Sequence, residues 1–306
     1  MEIKLRTLTP LWTGGVDQTC DRLHETGLIG SLRWWYEALV RGLGGYACDP
    51  TDHSCTFDEE KYRRSKASDE RQRLRDAGVC DACQLFGCTG WARKFRVRVL
   101  DEQGRVVQNA LAANQTIQLQ FLELRPMSNE ERWLLTKAVE IASNYGALGG
   151  KTTLKPQKGK IGEDYGIVQM CIVQMPSPPL TKPDIAHFLA QFRRELPQGA
   201  ADLRWFFFVK GAFLWRKQMN ALMGLSDNGQ KVTGNEPYQQ FLRGRRGDAK
   251  QDAISKKIFS FRAGGGRIWG YATDAQMRDT IVKEIKKTLG DGSYTVRTGE
   301  EVLHGL

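Results

Sequence analysis

The sequence predicts an α+β protein with a ferredoxin-like β-α-β-β-α-β unit over residues 1–175, followed by a degenerate second copy. Three observations predict it: a period-two alternation at 94–100, a long apolar-faced helix at 28–43, and a strong helix start at Ser128. The 306 residues leave room for two domains of about 150 residues each. The expected division is an N-terminal ferredoxin-like domain over 1–175, with a cysteine-bearing insertion at 46–90, and a C-terminal α+β domain over 176–306.

Each element has its own signal. Residues 2–8 read as a strand halted by Thr9-Pro10, and a polar stretch at 13–26 leads into the helix at 28–43, closed by Gly44-Gly45. In 94–100, Phe95, Val97 and Val99 share one face while Lys94, Arg96 and Arg98 share the other, as in a half-buried strand with a basic outer face. A turn at 101–104 precedes a strand at 116–124. Ser128-Asn129-Glu130-Glu131 then starts a helix with acids in its first turn, running to Ser143. A Gly/Lys loop (146–162) leads to a strand at 165–174, halted by Pro176, Pro178 and Pro179. Beyond it, helices are expected at 182–195, 211–224 and 273–289, and strands at 256–261 and 267–272 around Gly264-Gly265-Gly266.

The composition, 41% hydrophobic and 26% charged, is that of a globular chain and excludes collagen, coiled coil and disorder. No apolar run approaches the roughly 20 residues of a bilayer span; the longest candidate is 205–209. The first residues show no signal-peptide pattern, so a cytoplasmic protein is expected. The net charge of +10 is unevenly spread: residues 61–75 carry +5, 151–160 carry +4 and 243–257 carry +4. The remainder of the chain is slightly acidic. Three basic segments on a near-neutral body point to a phosphate backbone, whereas a single such run would read equally well as a solvated face.

Of the seven cysteines, Cys48, Cys55, Cys80 and Cys83 cluster in the insertion. A Cys-x-x-Cys pair at 80–83 places two thiolates on one edge of a tetrahedron, and a second pair from across a loop closes the site, the signature of structural zinc. The second pair is spaced by six residues rather than two, so His53 or Cys88 remains an alternative ligand. Disulfides are not expected in a cytosolic chain of this size. A site with four protein ligands is closed and would not be catalytic.

The segment YGALGGKT (145–152) invites a phosphate-loop reading, which fails because Tyr145 stands where Walker A needs Gly. A Gly/Lys loop here still offers backbone N–H groups and cations to phosphates; the alternative is a plain flexible hairpin.

Four stretches carry a resemblance: LTPLWTGG (8–15), GLIGSLRWWYEALVRGLGG (27–45), CDACQLFGCTG (80–90) and GALGGKTTLKPQKGKIG (146–162). On these residues the sequence resembles the RAMP superfamily of CRISPR-associated proteins, and within it the Cmr1 family of type III-B effector subunits. The likeness covers the first 175 residues; the Arg-Trp-Trp helix is its most specific part. The insertion is longer than that family's pattern, and the Gly-rich loop carries Lys where Arg is more usual.

The resemblance implies a non-catalytic RNA-binding subunit of an RNA-guided complex for antiviral defence. It would contact crRNA near its 3′ end, help to capture target RNA, and assemble with other Cmr and Cas7-like subunits. Candidate RNA contacts are Arg33, Lys151, Lys155, Lys158, Lys160, Arg243, Arg245 and Arg246. Arg33 lies near a helix N-terminus, but an i,i+4 pair with Glu37 is the alternative. Trp34 and Trp35 point in different directions, one toward the core and one available to stack on a base. The competing expectation is a RAMP endoribonuclease. Asp17, Asp21, His24 and Glu25 form an acid-plus-His cluster, with His24 or Asp21 as the catalytic candidate. His187 and His304 lack such neighbours.

Overall fold

Ile3, Leu5 and Thr7 point inward and Lys4 and Arg6 outward along β1 (Glu2–Thr7) in the computed structural model. The structure describes residues 1–14, 19–50, 54–159, 164–173, 179–190, 197, 199–232, 236–245 and 254–306. Helix α1 (Glu25–Gly42) follows, and buries Leu28, Leu32, Trp35, Tyr36 and Leu39 on the face the sequence marks as apolar. The insertion then forms three short helices: α2 (Glu59–Arg64), α3 (Glu70–Asp76) and α4 (Asp81–Phe86). In β2 (Phe95–Leu100), Phe95, Val97 and Val99 are buried while Arg96 and Arg98 are exposed. It pairs with β3 (Thr116–Glu123), after which α5 (Asn129–Tyr145) starts at a capping box between Ser128 and Glu131. The first sheet ends with β4 (Val168–Val173), and its strands lie in the order β2-β3-β1-β4, every neighbouring pair antiparallel.

Helix α6 (Lys182–Ala190) and a single 3-10 turn at Leu203–Trp205 lead to the second half. There β5 (Phe206–Lys210) is followed by α7 (Arg216–Leu222) and α8 (Pro237–Arg243). The hairpin of β6 (Ile258–Phe261) and β7 (Arg267–Tyr271) comes next, then α9 (Ala275–Leu289), β8 (Thr295–Thr298) and α10 (Gly299–His304). This sheet has the order β6-β7-β5-β8, again fully antiparallel. The chain is thus a mixed α/β protein with two four-stranded antiparallel sheets. Their strands are visited in the same sequence, so the second half repeats the connectivity of the first.

Why the two halves adhere is written in β5. Phe206 and Phe208 join the core of the first half, whereas Phe207 and Val209 face a smaller core with Met219, Leu222, Ile281 and Ile285. Both faces of this strand are buried, each large side chain contributing about 1.5–3 kcal/mol. β6 and β7 divide likewise, Phe259, Phe261 and Trp269 toward the first half and Ile258 and Ile268 toward α7 and α9. The second sheet is therefore a middle layer, with α1 on one side and its own helices on the other. Arg267, buried in β7, donates to the carbonyls of Ser143 (3.1 Å) and Gly146 (2.8 Å), satisfying the C-terminal end of α5 from across the interface.

The sequence expectation has no strand at β5 or β8. The first reads only as an apolar run because it lacks alternation; the second is a four-residue edge strand without apolar periodicity. The helix expected at 211–224 begins at Arg216, and that expected at 182–195 reaches Ala190, residues 191–196 lying outside the described set. No helix among the described residues is long and apolar enough to cross a membrane.

Candidate functional site

Cys80 caps the start of α4 and Cys83 lies within its first turn, so one short stretch supplies both sulfurs; Cys48 and Cys55 come from the loop after α1. The four sulfurs all lie within 4.8 Å of one another, with Cys48 Sγ and Cys83 Sγ 3.5 Å apart, and all four residues are buried. A tetrahedral zinc–thiolate site has sulfur–sulfur edges of about 3.8 Å, so this set has the size and chemistry to hold a metal ion. Two backbone amides already point at sulfur: Cys48 N–H toward Cys80 and Cys80 N–H toward Cys55, each at 3.4 Å. All seven cysteines are free thiols, Cys88 among them and half-buried. His53 lies outside the described residues.

Arg33, expected at a phosphate, is placed on this centre. Its guanidinium donates to Cys83 Sγ at 3.1 Å, to the Gly87 carbonyl at 3.0 Å and, through Nε, to Glu37 at 2.7 Å. The Glu37 pair is the i,i+4 alternative that the sequence allows. Burial opposes charge on Arg33, yet Glu37, Cys83 and Cys48 hold it above its ordinary range. Burial likewise pushes the Glu37 carboxyl up to about 7, against Arg33 and Arg41. Arg41 is buried and donates to the carbonyls of Ala47, Ala201 and Cys48, holding the first ligand loop against the second half.

The opposite side of α1 lines a cleft. Its walls are Trp12, Gly14, Gly27, Ser31, Trp34 and Trp35 from the first half, Gly149, Gly150, Thr152 and Thr153 from the Gly/Lys loop, and Ser255, Lys256, Phe259, Trp269 and Tyr271 from the second. Its volume is about 330 Å³, and none of the described residues lining it is Asp or Glu. Trp34 is half-buried, 5.8 Å from Trp269 and 6.0 Å from Tyr271 between ring centroids, while Trp35 is core and donates to the Ala147 carbonyl at 3.0 Å.

The loop's glycines serve packing. Gly149 has φ +82° and a Cβ there would meet the Trp12 carbonyl at 2.5 Å; one at Gly146 would enter the Trp35 ring. The amides of Leu148 and Gly150 bond the carbonyls of Gly166 and Trp12, so they are not open to a phosphate. What the loop presents is cations. Lys151 Nζ lies 4.7 Å over the Trp12 ring, Lys155 Nζ donates to Asn220 Oδ1 on α7 at 2.6 Å, and Lys158 is exposed.

The other expected residues are dispersed. Segment 61–75 forms α2 and α3, and its arginines are largely spent internally: Arg63 and Arg64 pair with Glu59 and Glu60, and Arg71 and Arg75 converge on buried Asp81. Arg243 ends α8 and Arg245 is exposed just beyond it; Lys160 and Arg246 lie outside the described residues. His24 precedes α1 with Nε2 3.4 Å from exposed Asp21 Oδ1, and Asp17 is outside the described set. The sequence reading included Lys256 only within the basic segment 243–257 and did not single out Trp12, Trp269 or Tyr271. The apolar Ile-Trp-Gly-Tyr run in β7 and the Lys-Lys ending the third basic segment were the only local signals.

The family model described as RAMP superfamily matches residues 4–154. No curated protein matches this chain. Among solved structures, apo Cmr1 from Pyrococcus furiosus is 12% identical, covering 97% of this chain and 98% of that one, with a TM-score of 0.49. A chain of the Type III-B Cmr-beta complex bound to cognate target RNA is 9% identical, covering 94% and 99%, also with a TM-score of 0.49. A chain of a Type IV-B CRISPR complex is 14% identical over 62% of this chain and 98% of its own, with a TM-score of 0.38.

Proposed function

We propose that this chain, whose residues 4–154 match the RAMP superfamily model, is a RAMP protein and a non-catalytic RNA-binding subunit of a type III RNA-guided CRISPR effector complex. In this reading the two sheets are tandem ferredoxin-like units. The chain works alongside other Cmr and Cas7-like subunits, contacting crRNA near its 3′ end and capturing target RNA. One observation carries the RNA reading: the Gly/Lys loop spans both halves and sets Lys151 over Trp12 at a ring-lined cleft whose described lining has no carboxylate. Cations beside aromatic faces on an acid-free wall suit a single-stranded, splayed nucleic acid. Lys155, Lys158, Lys160, Arg243, Arg245 and Arg246 extend the basic surface.

The cysteine cluster is assigned to structural zinc, because four thiolates close the coordination sphere and leave no position for substrate. Zinc there would tie the loop after α1 to α4; Arg33 would offset the negative charge of the tetrathiolate.

The test is fluorescence anisotropy of labelled single-stranded RNA against the purified chain at several salt concentrations, with copurification of partner subunits from cells. The expected result is salt-sensitive binding, weakened when Lys151, Lys155 and Lys158 are replaced together by Ala. Salt-insensitive or absent binding, with no copurifying subunit, overturns the reading. A second reading, endoribonuclease, is favoured by the His24–Asp21 contact. Labelled RNA that is cut by the wild type and spared by His24→Ala would establish it.

A further inference from the structure

Two hydrogen-bond donors on the cleft wall lack acceptors. Lys256 Nζ and Trp269 Nε1 are both buried and have no hydrogen-bond partner, and both residues line the cleft. A buried ammonium without a counter-charge is costly, and a structure keeps one where something else completes it. No carboxylate among the described lining residues does so, and the charge acting on Lys256 is that of another cation, Lys155. No described residue supplies an anionic acceptor to these two donors, and a ligand phosphate has the chemistry to do so. Around these two donors the walls combine aromatic rings, those of Trp12, Trp34, Phe259 and Tyr271, with the hydroxyls of Ser31, Thr152 and Ser255. A volume of about 330 Å³ lies at the small end of ligand pockets, which run to roughly 1,000 Å³, and admits one small ligand rather than a helix of nucleic acid.

We propose that this cleft is a one-nucleotide subsite in which the Lys256 ammonium and the Trp269 indole N–H hold a phosphate while the rings of Trp12, Trp34 and Tyr271 receive its base. The proposal deepens the RNA-binding reading and rests on it. Burial and Lys155 push Lys256 down to about 7, so near neutral pH the charged and neutral forms are comparably populated, and a phosphate beside it favours the charged form. A nucleotide within a strand and a free nucleotide share this chemistry, and the probes separate them.

The experiment titrates wild type, Lys256→Met and Lys256→Arg with a fluorescent 12-nucleotide single-stranded RNA across a salt series, and separately with AMP, reading tryptophan fluorescence. Met keeps the stem and its packing, and each variant's melting temperature is recorded alongside. The proposal expects Lys256→Met to weaken RNA binding about tenfold, the scale of one charged hydrogen bond. It also expects the slope of log affinity against log salt to fall by about 0.7, the loss of one phosphate contact on a single strand, with Lys256→Arg restoring most of both. AMP that quenches wild type but not Lys256→Met marks a site open to free nucleotides; quenching by the 12-mer alone marks one that needs the strand. Wild-type RNA binding with an unchanged salt slope in Lys256→Met overturns the subsite while leaving the RNA reading intact. No RNA binding by the wild type overturns the RNA reading itself.

Discussion

The Arg33 guanidinium lies 3.1 Å from the Cys83 sulfur, and its Nε is held by Glu37 at 2.7 Å. One residue of the Arg-Trp-Trp helix thus serves the thiolate cluster while the next, Trp34, lines the cleft. Four thiolates around a divalent ion carry a net charge of −2, and a fixed guanidinium offsets part of it. Arg33→Gln is expected to weaken metal binding about 10–100-fold, as loss of a group supporting the ligands does elsewhere. Competition with a chromogenic chelator measures this. RNA affinity that falls sharply in this variant while metal affinity is unchanged would return Arg33 to the RNA interface.

Replacing Cys80 by Ser removes one corner of the cluster and leaves the other three thiols buried without a complete sphere. The outer part of the insertion has little core: α2 buries no residue and α3 only Leu74 and Arg75, whereas α4 is buried throughout. The order of that outer part depends on the metal to the extent that ligand binding is folding free energy. Wild-type protein is expected to return about one zinc per chain by elemental analysis, as a closed four-thiolate site requires. Cys80→Ser is expected to return far less, with faster proteolysis within residues 54–90. Equal zinc in both proteins would remove the cluster from consideration.

How much of this was visible in the sequence depends on where each signal lies. β1, β2 and α5 declare themselves locally, through the alternation of Ile3 and Leu5, that of Phe95, Val97 and Val99, and the Ser128–Glu131 capping box. β5 does not, because Phe206 to Val209 are buried from both sides, and a strand without a wet face has no period to read. The cysteines were legible because thiolate ligands have few other uses in such spacing. The cleft was not, because Trp12 and Lys256 are far apart in sequence and meet only when α1 packs on the second sheet. Arg33 was legible in part: its i,i+4 pair with Glu37 follows from the spacing, whereas Gly87 and Cys83 enter through the insertion, which local helix reasoning does not see.

Gly149 makes a backbone prediction. Its φ of +82° is one that L side chains rarely adopt, and a Cβ would stand 2.5 Å from the Trp12 carbonyl. Gly149→Ala is expected to cost about 1–3 kcal/mol, measured by urea denaturation. Because the next two residues set Lys151 over Trp12, RNA affinity should fall as well. A variant as stable as the wild type would mean that the loop adopts another path.

Lys256 links stability to pH with a definite sign. Burial first, and the charge of Lys155 second, push its ammonium down to about 7, whereas an unfolded lysine titrates near 10.4. Between those values the unfolded chain binds more protons at this position than the folded one, so stability rises with pH across the window. Below pH 7 both states are protonated and the burial penalty is fully present. Lys155, Lys210 and Lys257 are lowered in the same direction and keep part of the slope. Lys256→Met removes this one contribution. The RNA-free variant is therefore expected to resist urea better than the wild type at pH 7, with the difference shrinking toward pH 10, while its RNA affinity is reduced. Opposite movement of stability and affinity is what a cation held in place for a ligand predicts. A variant that loses both together would make Lys256 a structural residue of the cleft wall.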